Sequence, residues 1–172
     1  MTTVLVTGPI GGGKSTVCLR LQEKGFPVYD CDSRCKALYD SVPGLKARIE
    51  SELGIPFAEL GRIFTDASLR EKLEALVYPL LVRDIEEWKS AQTAEFAFIE
   101  SAIAMEKPAF RHLWDKVLLV TAGRSFRIRR NPKVAERDGI QHFDPSKTDY
   151  TITNDSDIGS LYDKVDIFLE SL

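Results

Sequence analysis

Glycines, one lysine and two hydroxyl side chains are concentrated in the stretch VLVTGPIGGGKSTVCLRL, at residues 4–21. Its aliphatic start is typical of a buried strand, and the apolar spacing after the glycines is typical of a helix. A glycine loop in that context lets backbone N–H groups surround an anion, and the helix N-terminus adds positive potential. Lys14 can bridge the outer phosphates of a nucleoside triphosphate, and the Ser15 hydroxyl can ligate Mg²⁺. The pattern favours a phosphate-binding loop (P-loop) over a flexible turn, formed by Gly8, Gly11, Gly12, Gly13, Lys14, Ser15 and Thr16.

Acidic side chains close two other apolar runs. FPVYDCD at 26–32 ends in Asp30 and Asp32, and FAFIE at 96–100 ends in Glu100. Ligands of parallel sheets bind at the carboxyl ends of strands, so these carboxylates are expected to face the P-loop. One aspartate could accept a proton from an attacking hydroxyl, and Glu100 could orient Mg²⁺. The alternatives are a helix N-cap for an aspartate and an exposed surface position for Glu100.

A basic segment, RSFRIRRNPKVAERDGIQHFDPSK, occupies residues 124–147 with five arginines and two lysines. A transferring phosphoryl group needs cations in fixed positions, and the planar fork of arginine can hold phosphate oxygens at two points. Proline and glycine interrupt the segment, which predicts a jointed arm more than one stable helix. We expect a lid whose Arg130 and Arg137 close over phosphates. The alternative is a solvated basic loop.

Five short apolar runs, at 3–7, 26–29, 96–99, 116–121 and 150–153, alternate with helical patterns. Short apolar strands separated by helices are typical of a parallel sheet covered on both faces, the α/β class. A long helix is predicted at 67–89, with an apolar stripe of Leu69, Leu73, Leu76 and Leu80. Pro79 lies inside it, so we expect a kink or a break there.

The length of 172 residues corresponds to one domain with room for a small lid. The net charge of −3 provides no basic field for nucleic acid or an anionic membrane. The early apolar run is too short for a signal peptide, and no apolar stretch approaches membrane-spanning length. Three cysteines, an odd number, argue against a disulfide framework, so the expected location is cytoplasmic.

Six motifs, in order along most of the chain, resemble the dephospho-coenzyme A kinase family of adenylate-kinase-like P-loop kinases. TGPIGGGKST resembles the family's TGGIGSGKST, GFPVYDCD its G..VIDAD, LEALVYPLL its LE.I.HP.I, FAFIESAI its PLLFE..L, DKVLLVTA its D.V.VV.A, and TDYTITND its ADYVI.N. The P-loop by itself is common to many nucleotide enzymes, whereas the ordered set with YDCD and LEALVYP is considerably more specific.

The resemblance implies one P-loop kinase domain over residues 1–172. Its fold would be a P-loop NTPase-like three-layer sandwich with a five-stranded parallel sheet, a helical acceptor region at about 31–95 and a short lid at about 124–147. The implied reaction moves the γ-phosphoryl group of ATP, with Mg²⁺, to the ribose 3′-hydroxyl of dephospho-coenzyme A, the last step of coenzyme A biosynthesis. The implied partner is this small-molecule acceptor, without nucleic acid or membrane, and the chain would be a monomer or a weak homo-oligomer.

The family's functional residues carry over onto matching positions. The expected catalytic groups are Lys14, Asp32 and Arg137. The expected ATP contacts are Gly8, Gly11, Gly12, Gly13, Lys14, Ser15, Thr16, Arg130 and Asn154. The expected acceptor contacts are Asp30, Asp32, Lys36, Tyr78 and Glu100, and the expected metal ligands are Ser15 and Glu100. Gln141 and Lys147 match a family run that follows Arg137.

Some positions depart from the family pattern. Tyr78 stands where the family usually has histidine, and Lys36 stands where an arginine often follows the two acids. The stretch before the long helix and the front of the lid are both short. Because these regions would touch the acceptor, a related nucleoside or nucleotide kinase stays open as an alternative. A nucleotide-binding regulator without turnover is the third reading, disfavoured by the set of Lys14, Ser15, Asp32 and Glu100.

Overall fold

The computed structural model of the protein describes residues 1–138 and 144–172. Five strands form one sheet: β1 (Thr2–Thr7), β2 (Val28–Asp30), β3 (Phe96–Glu100), β4 (Lys116–Thr121) and β5 (Tyr150–Thr153). The strand order is β2-β3-β1-β4-β5, and each neighbouring pair is parallel. The predicted α/β class with a five-stranded parallel sheet is confirmed.

The helices lie between and after these strands along the chain. They are α1 (Lys14–Glu23), α2 (Cys31–Ser41), α3 (Leu45–Leu53), α4 (Ala67–Ser90), α5 (Arg124–Arg130), α6 (Val134–Arg137) and α7 (Ile158–Glu170). Short 3-10 helices lie at Phe57–Phe64, Ala104–Glu106, Pro108–Phe110 and Pro145–Lys147. Within the described ranges, no helix combines the length and the apolar character needed to cross a membrane.

The chain divides into two compact units. The sheet unit comprises Met1–Asp30 and Ala91–Leu172, and it contains the five strands with α1, α5, α6 and α7. The helical unit comprises Cys31–Ser90 and contains α2, α3 and α4. The interpretation of the middle of the chain as an acceptor region stays a prediction.

One face of the sheet fixes the position of α1, the helix that follows the glycine loop. Alternate side chains of the strands point to this face because successive residues of a strand face opposite ways. The buried cluster on it comprises Val4, Val6, Val17, Cys18, Leu21, Phe98, Leu118, Val120, Ile152, Leu161, Val165 and Phe168. The Phe168 ring of α7 also meets the Tyr150 ring edge-on, with centroids 5.0 Å apart. Burial of this face therefore holds α1 and α7 against the sheet.

Strand β2 is displaced from its expected position at 26–29. Pairing with β3 extends it to Asp30, which is in register with Glu100. The carbonyl of Pro27 still accepts a bond of 2.9 Å from the Phe98 N–H, so the pairing begins just ahead of the strand. Asp30 is therefore the last residue of the strand, and Cys31 begins α2 directly afterwards.

Helix α4 is continuous from Ala67 to Ser90, so a break at Pro79 is wrong. An internal proline costs about 3 kcal/mol. Burial of one large apolar side chain contributes about 1.5–3 kcal/mol, so a stripe of five outweighs that cost. The buried stripe is Leu69, Leu73, Val77, Leu81 and Ile85. The predicted stripe is correct at its first two positions and wrong at Leu76 and Leu80, which are only half-buried.

An ion-pair network joins α1 to α7 and generates a pH-dependent prediction. Arg20 donates to both carboxylate oxygens of Asp166, at 3.1 and 2.7 Å, and Lys24 Nζ lies 2.8 Å from Asp166 Oδ2. The Arg20 bonds first, and then the Lys24 bond, lower the pKa of Asp166 to about 2. In the unfolded chain an aspartate carboxyl has a pKa of about 3.9. The ion pairs of Asp166 therefore stabilise the fold fully above that pH, and their stabilisation declines as the pH falls towards 2.

We expect Asp166→Asn to lower the midpoint of urea unfolding at pH 7 and to lower it less at pH 3. Circular dichroism at both pH values measures this difference. Asp163→Asn, at an exposed position of the same helix, is the matched control and should change neither midpoint. An equal loss at both pH values would show that the pair does not titrate in this window.

Candidate active site

The P-loop, Gly8–Gly13, connects β1 to α1, and all six of its carbonyl oxygens accept hydrogen bonds from the protein. Three donors come from the backbone or side chains next to the loop: Lys14 Nζ donates to Gly8 O (2.9 Å) and Pro9 O (3.3 Å), Gly12 N also donates to Pro9 O (3.0 Å), and Val17 N donates to Gly13 O (3.0 Å). The other three donors are side chains from distant parts of the sequence: Arg127 donates to Ile10 O (3.5 Å), Arg130 donates to Gly11 O (3.4 Å), and Asn154 Nδ2 donates to Gly12 O (3.0 Å). A carbonyl oxygen repels an anion, so these bonds remove the main obstacle to phosphate binding. The first N–H groups of α1 have no partner within the helix and direct their positive end to the loop.

Two of the loop glycines are required by close approach of the backbone. Gly8 has a φ of +144°, and a Cβ there would lie 1.9 Å from the Val120 carbonyl oxygen. Gly13 has a φ of +105°, and a Cβ there would lie 2.2 Å from Asn154 Nδ2. A larger residue at either position would push the loop away from the end of β4 or from Asn154. The glycine spacing in the sequence therefore has a steric origin.

A carboxylate lies beside the loop at the carboxyl edge of the sheet. Glu100 ends β3 and is in register with Val6 of β1 and with Asp30 of β2. Ser15 Oγ, in the first turn of α1, donates a 3.0 Å hydrogen bond to Glu100 Oε1. Burial raises the pKa of Glu100, and nearby Asp30 adds to this, while the Ser15 bond and the Lys14 charge oppose it. A half-buried carboxylate of this kind is stabilised by a cation.

The oxygen atoms at this edge fit Mg²⁺. Magnesium is bound through one or two carboxylates, a hydroxyl and substrate phosphates, and it retains water ligands. Ser15 and Glu100 provide a hydroxyl and a carboxylate in contact with each other, next to the loop that would carry the phosphates. No cluster of three or more His, Cys, Asp or Glu side chains suited to a metal occurs in the described part of the chain.

Cys18 is a neighbour of this edge that the sequence interpretation missed. It lies one turn after Ser15 on α1 and is 4% exposed. Burial, followed by the negative charge of Glu100, raises the pKa of the Cys18 thiol, which stays protonated. The three-residue spacing between Ser15 and Cys18 was the available signal, because such positions share one helix face.

The basic segment contributes two arginines at the outer side of the loop. Arg130 donates to Gly11 O and, through NH2, to the backbone oxygen (2.9 Å) and side-chain oxygen (3.4 Å) of Asn154. Arg127, which the sequence interpretation did not single out, contacts Ile10 O and Asp138. The side chain of Arg137 and the whole of Gln141, two expected lid residues, lie outside the described residues.

The remaining expected acceptor residues belong to the helical unit. Asp32 and Lys36 are exposed on α2, with Asp32 in the first turn of that helix. Tyr78 is half-buried on α4, where burial and the carboxylate of Glu74 raise the pKa of its hydroxyl, so that it stays protonated. Tyr78 could therefore donate a hydrogen bond where the family usually has histidine.

The parallel sheet, the P-loop between β1 and α1, and the Ser15–Glu100 pair together define a P-loop phosphotransferase of the kinase type. The family model for dephospho-CoA kinase matches residues 2–148. The chain belongs to the dephospho-CoA kinase family.

One curated relative supports this assignment, and two solved structures are similar in fold. The dephospho-CoA kinase of Porphyromonas gingivalis is 34% identical over 148 residues, which are 81% of this chain and 71% of the relative. The crystal structure of TT1252 from Thermus thermophilus has a TM-score of 0.82 at 26% identity, and the match covers 99% of this chain and 97% of that one. The dephospho-CoA kinase of Campylobacter jejuni shares the fold, with a TM-score of 0.62 at 18% identity over 98% of this chain and 95% of that one.

The raised pKa of Glu100 predicts that removal of its charge stabilises the fold in the absence of Mg²⁺. Glu100→Gln keeps the shape and removes the charge that burial disfavours. In buffer without Mg²⁺ at pH 8, we expect the melting temperature of Glu100→Gln to exceed that of the wild type by up to about 3 °C. At this chain length, such a rise corresponds to a gain below about 1 kcal/mol in the free energy of unfolding. The rise should shrink towards pH 4, because the wild-type carboxyl then also carries a proton in the folded state.

Melting temperatures of the wild type and of Glu100→Gln, measured by thermal unfolding at pH 8, 6 and 4, check this expectation. Glu95→Gln is the matched control, because Glu95 is exposed and precedes the same strand. A Glu100→Gln variant that is less stable than the wild type at pH 8 would show that the ionised carboxylate stabilises the fold without a metal.

Proposed function

We propose that this chain transfers the γ-phosphoryl group of ATP to the ribose 3′-hydroxyl of dephospho-coenzyme A. The observation that carries the proposal is the Ser15–Glu100 contact beside the P-loop, in a chain whose residues 2–148 match the dephospho-CoA kinase family. The P-loop and the Ser15–Glu100 contact support the binding of ATP as the phosphoryl donor. Membership of the family supports dephospho-coenzyme A as the phosphoryl acceptor.

The donor half depends on charges around the P-loop. Loop N–H groups and the N-terminus of α1 would bind the phosphates. The Lys14 ammonium, which has three N–H donors, would also reach the outer phosphate oxygens while its bond to Gly8 O is kept. Arg130 would add positive charge at the outer side of the loop. Ser15 and Glu100 would hold Mg²⁺, which when bound neutralises charge on the β- and γ-phosphates.

The acceptor half requires a base and a route for one proton. The 3′-oxygen would form a bond to the γ-phosphorus while the bond from that phosphorus to the β-phosphate oxygen breaks and ADP leaves. The hydroxyl proton would pass to the carboxylate of Asp32, or stay hydrogen-bonded to it until the transfer is complete. Lys36 and Tyr78 would contact the acceptor, with Asp30 as the second carboxylate beside Asp32 in the sequence.

Measurement of ADP release with different acceptors tests the proposed function. We expect the highest kcat/KM with dephospho-coenzyme A, against a panel of nucleosides and nucleoside monophosphates, together with a product heavier by one phosphate in mass spectrometry. Lys14→Ala should abolish turnover, whereas Lys72→Ala, an exposed lysine of the helical unit, should not. A higher kcat/KM with a nucleoside or a nucleotide would replace the proposed acceptor, and no turnover with any acceptor would favour a regulatory nucleotide-binding protein.

Replacement of Asp32 tests the assignment of the base. Asp32→Asn keeps the shape but cannot accept the proton, so kcat should fall by about 10²–10⁴-fold while the KM for ATP changes little. Asp40→Asn, on the same helix and paired with Lys46, is the matched control and should retain its rate. A raised KM for ATP with an unchanged kcat would make Asp32 a binding residue and would move the base to Asp30.

A further inference from the structure

An ion pair in the basic segment lies close to the P-loop and is not used by the proposed reaction. Arg127 of α5 donates through NH1 to Asp138 Oδ1 and through NH2 to Asp138 Oδ2, the latter at 3.2 Å. Arg124 Nε lies 3.4 Å from the same carboxylate. The Arg127 side chain is only 12% exposed, so the pair is shielded from water on the arginine side. A two-pronged pair of this kind fixes the plane of the guanidinium group.

The Arg127 guanidinium group also donates to two backbone carbonyl oxygens, one just after β4 and one in the P-loop. Arg127 Nε donates to the Ala122 carbonyl at 3.1 Å, and NH1 reaches the Ile10 carbonyl of the P-loop at 3.5 Å. The backbone of α5 also approaches the loop, because a Cβ on Gly11 would lie 2.8 Å from the Arg127 carbonyl oxygen. Arg127 is therefore a direct neighbour of the loop, and Asp138 reaches the loop only through it.

The two arginines that contact the loop differ in the charge of their partners. Arg127 is neutralised by Asp138, whose pKa the Arg127 hydrogen bonds lower, so that the carboxylate is ionised at neutral pH. The partners described for Arg130 are neutral: oxygens of Gly11 and Asn154, and the ring of Phe126, whose centroid lies 5.7 Å from the guanidinium carbon. The charge of Arg130 therefore stays available to a bound anion. The charge of Arg127 is paired with Asp138, and this side chain supports the structure of the loop.

We propose that Asp138 is a positioning residue for nucleotide binding, which acts through Arg127 on the shape of the P-loop. Without the carboxylate, the Arg127 guanidinium keeps its bond to the Ala122 carbonyl but loses the two bonds that fix its plane, so its 3.5 Å contact with the Ile10 carbonyl can break. The Ile10 carbonyl would then lose its donor at the edge of the phosphate site. Helix α6, which ends just before Asp138, would lose its attachment to the P-loop. The proposal depends on nucleotide binding at the P-loop and not on the identity of the acceptor.

Isothermal titration with ADP, in the full chain, tests the role of Asp138. We expect Asp138→Asn to weaken ADP binding roughly tenfold, the size of an effect from one hydrogen bond to a charged group. Glu136→Gln on α6 is the matched control, because Glu136 is exposed on the same helix and should bind ADP as the wild type does. A Kd for Asp138→Asn within twofold of the control would overturn the proposal, even if its melting temperature falls.

A double-mutant cycle tests whether Asp138 acts through Arg127. Arg127→Gln should weaken ADP binding, and Asp138→Asn should cause no further loss in the Arg127→Gln background. Equal losses in both backgrounds would overturn the proposed route. If Arg127→Gln does not fold, Arg127→Met removes the donors while it keeps the apolar stem, and it serves in the same cycle. ADP binding requires no acceptor, so this result is independent of the acceptor panel.

Discussion

The structure of the site depends on the orientation of the peptide groups in the P-loop. A triphosphate can bind there only if carbonyl oxygens do not face it, and each carbonyl from Gly8 to Gly13 is engaged by a donor of the protein. A loop of glycines has little conformational preference of its own. Its shape must therefore come from the side chains and backbone that surround it.

The order of the strands brings those surroundings together. Strand β4 adjoins β1, which places the Val120 carbonyl against Gly8, and β5 adjoins β4. The N–H of Asn154, just after β5, donates to the Thr121 carbonyl at 2.7 Å, which extends the ladder and directs the amide to the Gly12 carbonyl. This side of the sheet therefore supplies the donors that support the loop.

The other half of the sheet supplies negative charge. Strand β3 adjoins β1 on the opposite side and ends in Glu100, and β2 ends in Asp30 at the same level. The P-loop thus lies between two carboxylates, Glu100 and Asp30, on one side and the arginines of α5 on the other. The burial that raises the pKa of Glu100 opposes the ionisation of this carboxyl in the free protein.

Much of this arrangement was predictable because it depends on short-range patterns. The strands at 3–7, 96–99, 116–121 and 150–153 follow from runs of buried apolar residues, and the P-loop follows from the spacing of its glycines, Lys14 and Ser15. These signals are local, since a strand needs a run of apolar residues and a phosphate nest needs glycine between a strand and a helix. The resemblance to a family of kinases rested on the same motifs and their order.

The partners of those residues depended on the tertiary structure. The pairing of β2 with β3 made Asp30 the last residue of its strand, and packing carried α4 through Pro79. No sequence pattern connected Arg127 with Asp138, because the turn between α5 and α6 sets the distance between them. The contact of Arg127 with the Ile10 carbonyl depends on the pairing of β1 with β4. The sequence by itself determined which residues can bind a phosphate chain and its cation. The tertiary structure decided which side chains hold the loop in the binding shape, because a hydrogen bond depends on distance in space and not on spacing along the chain.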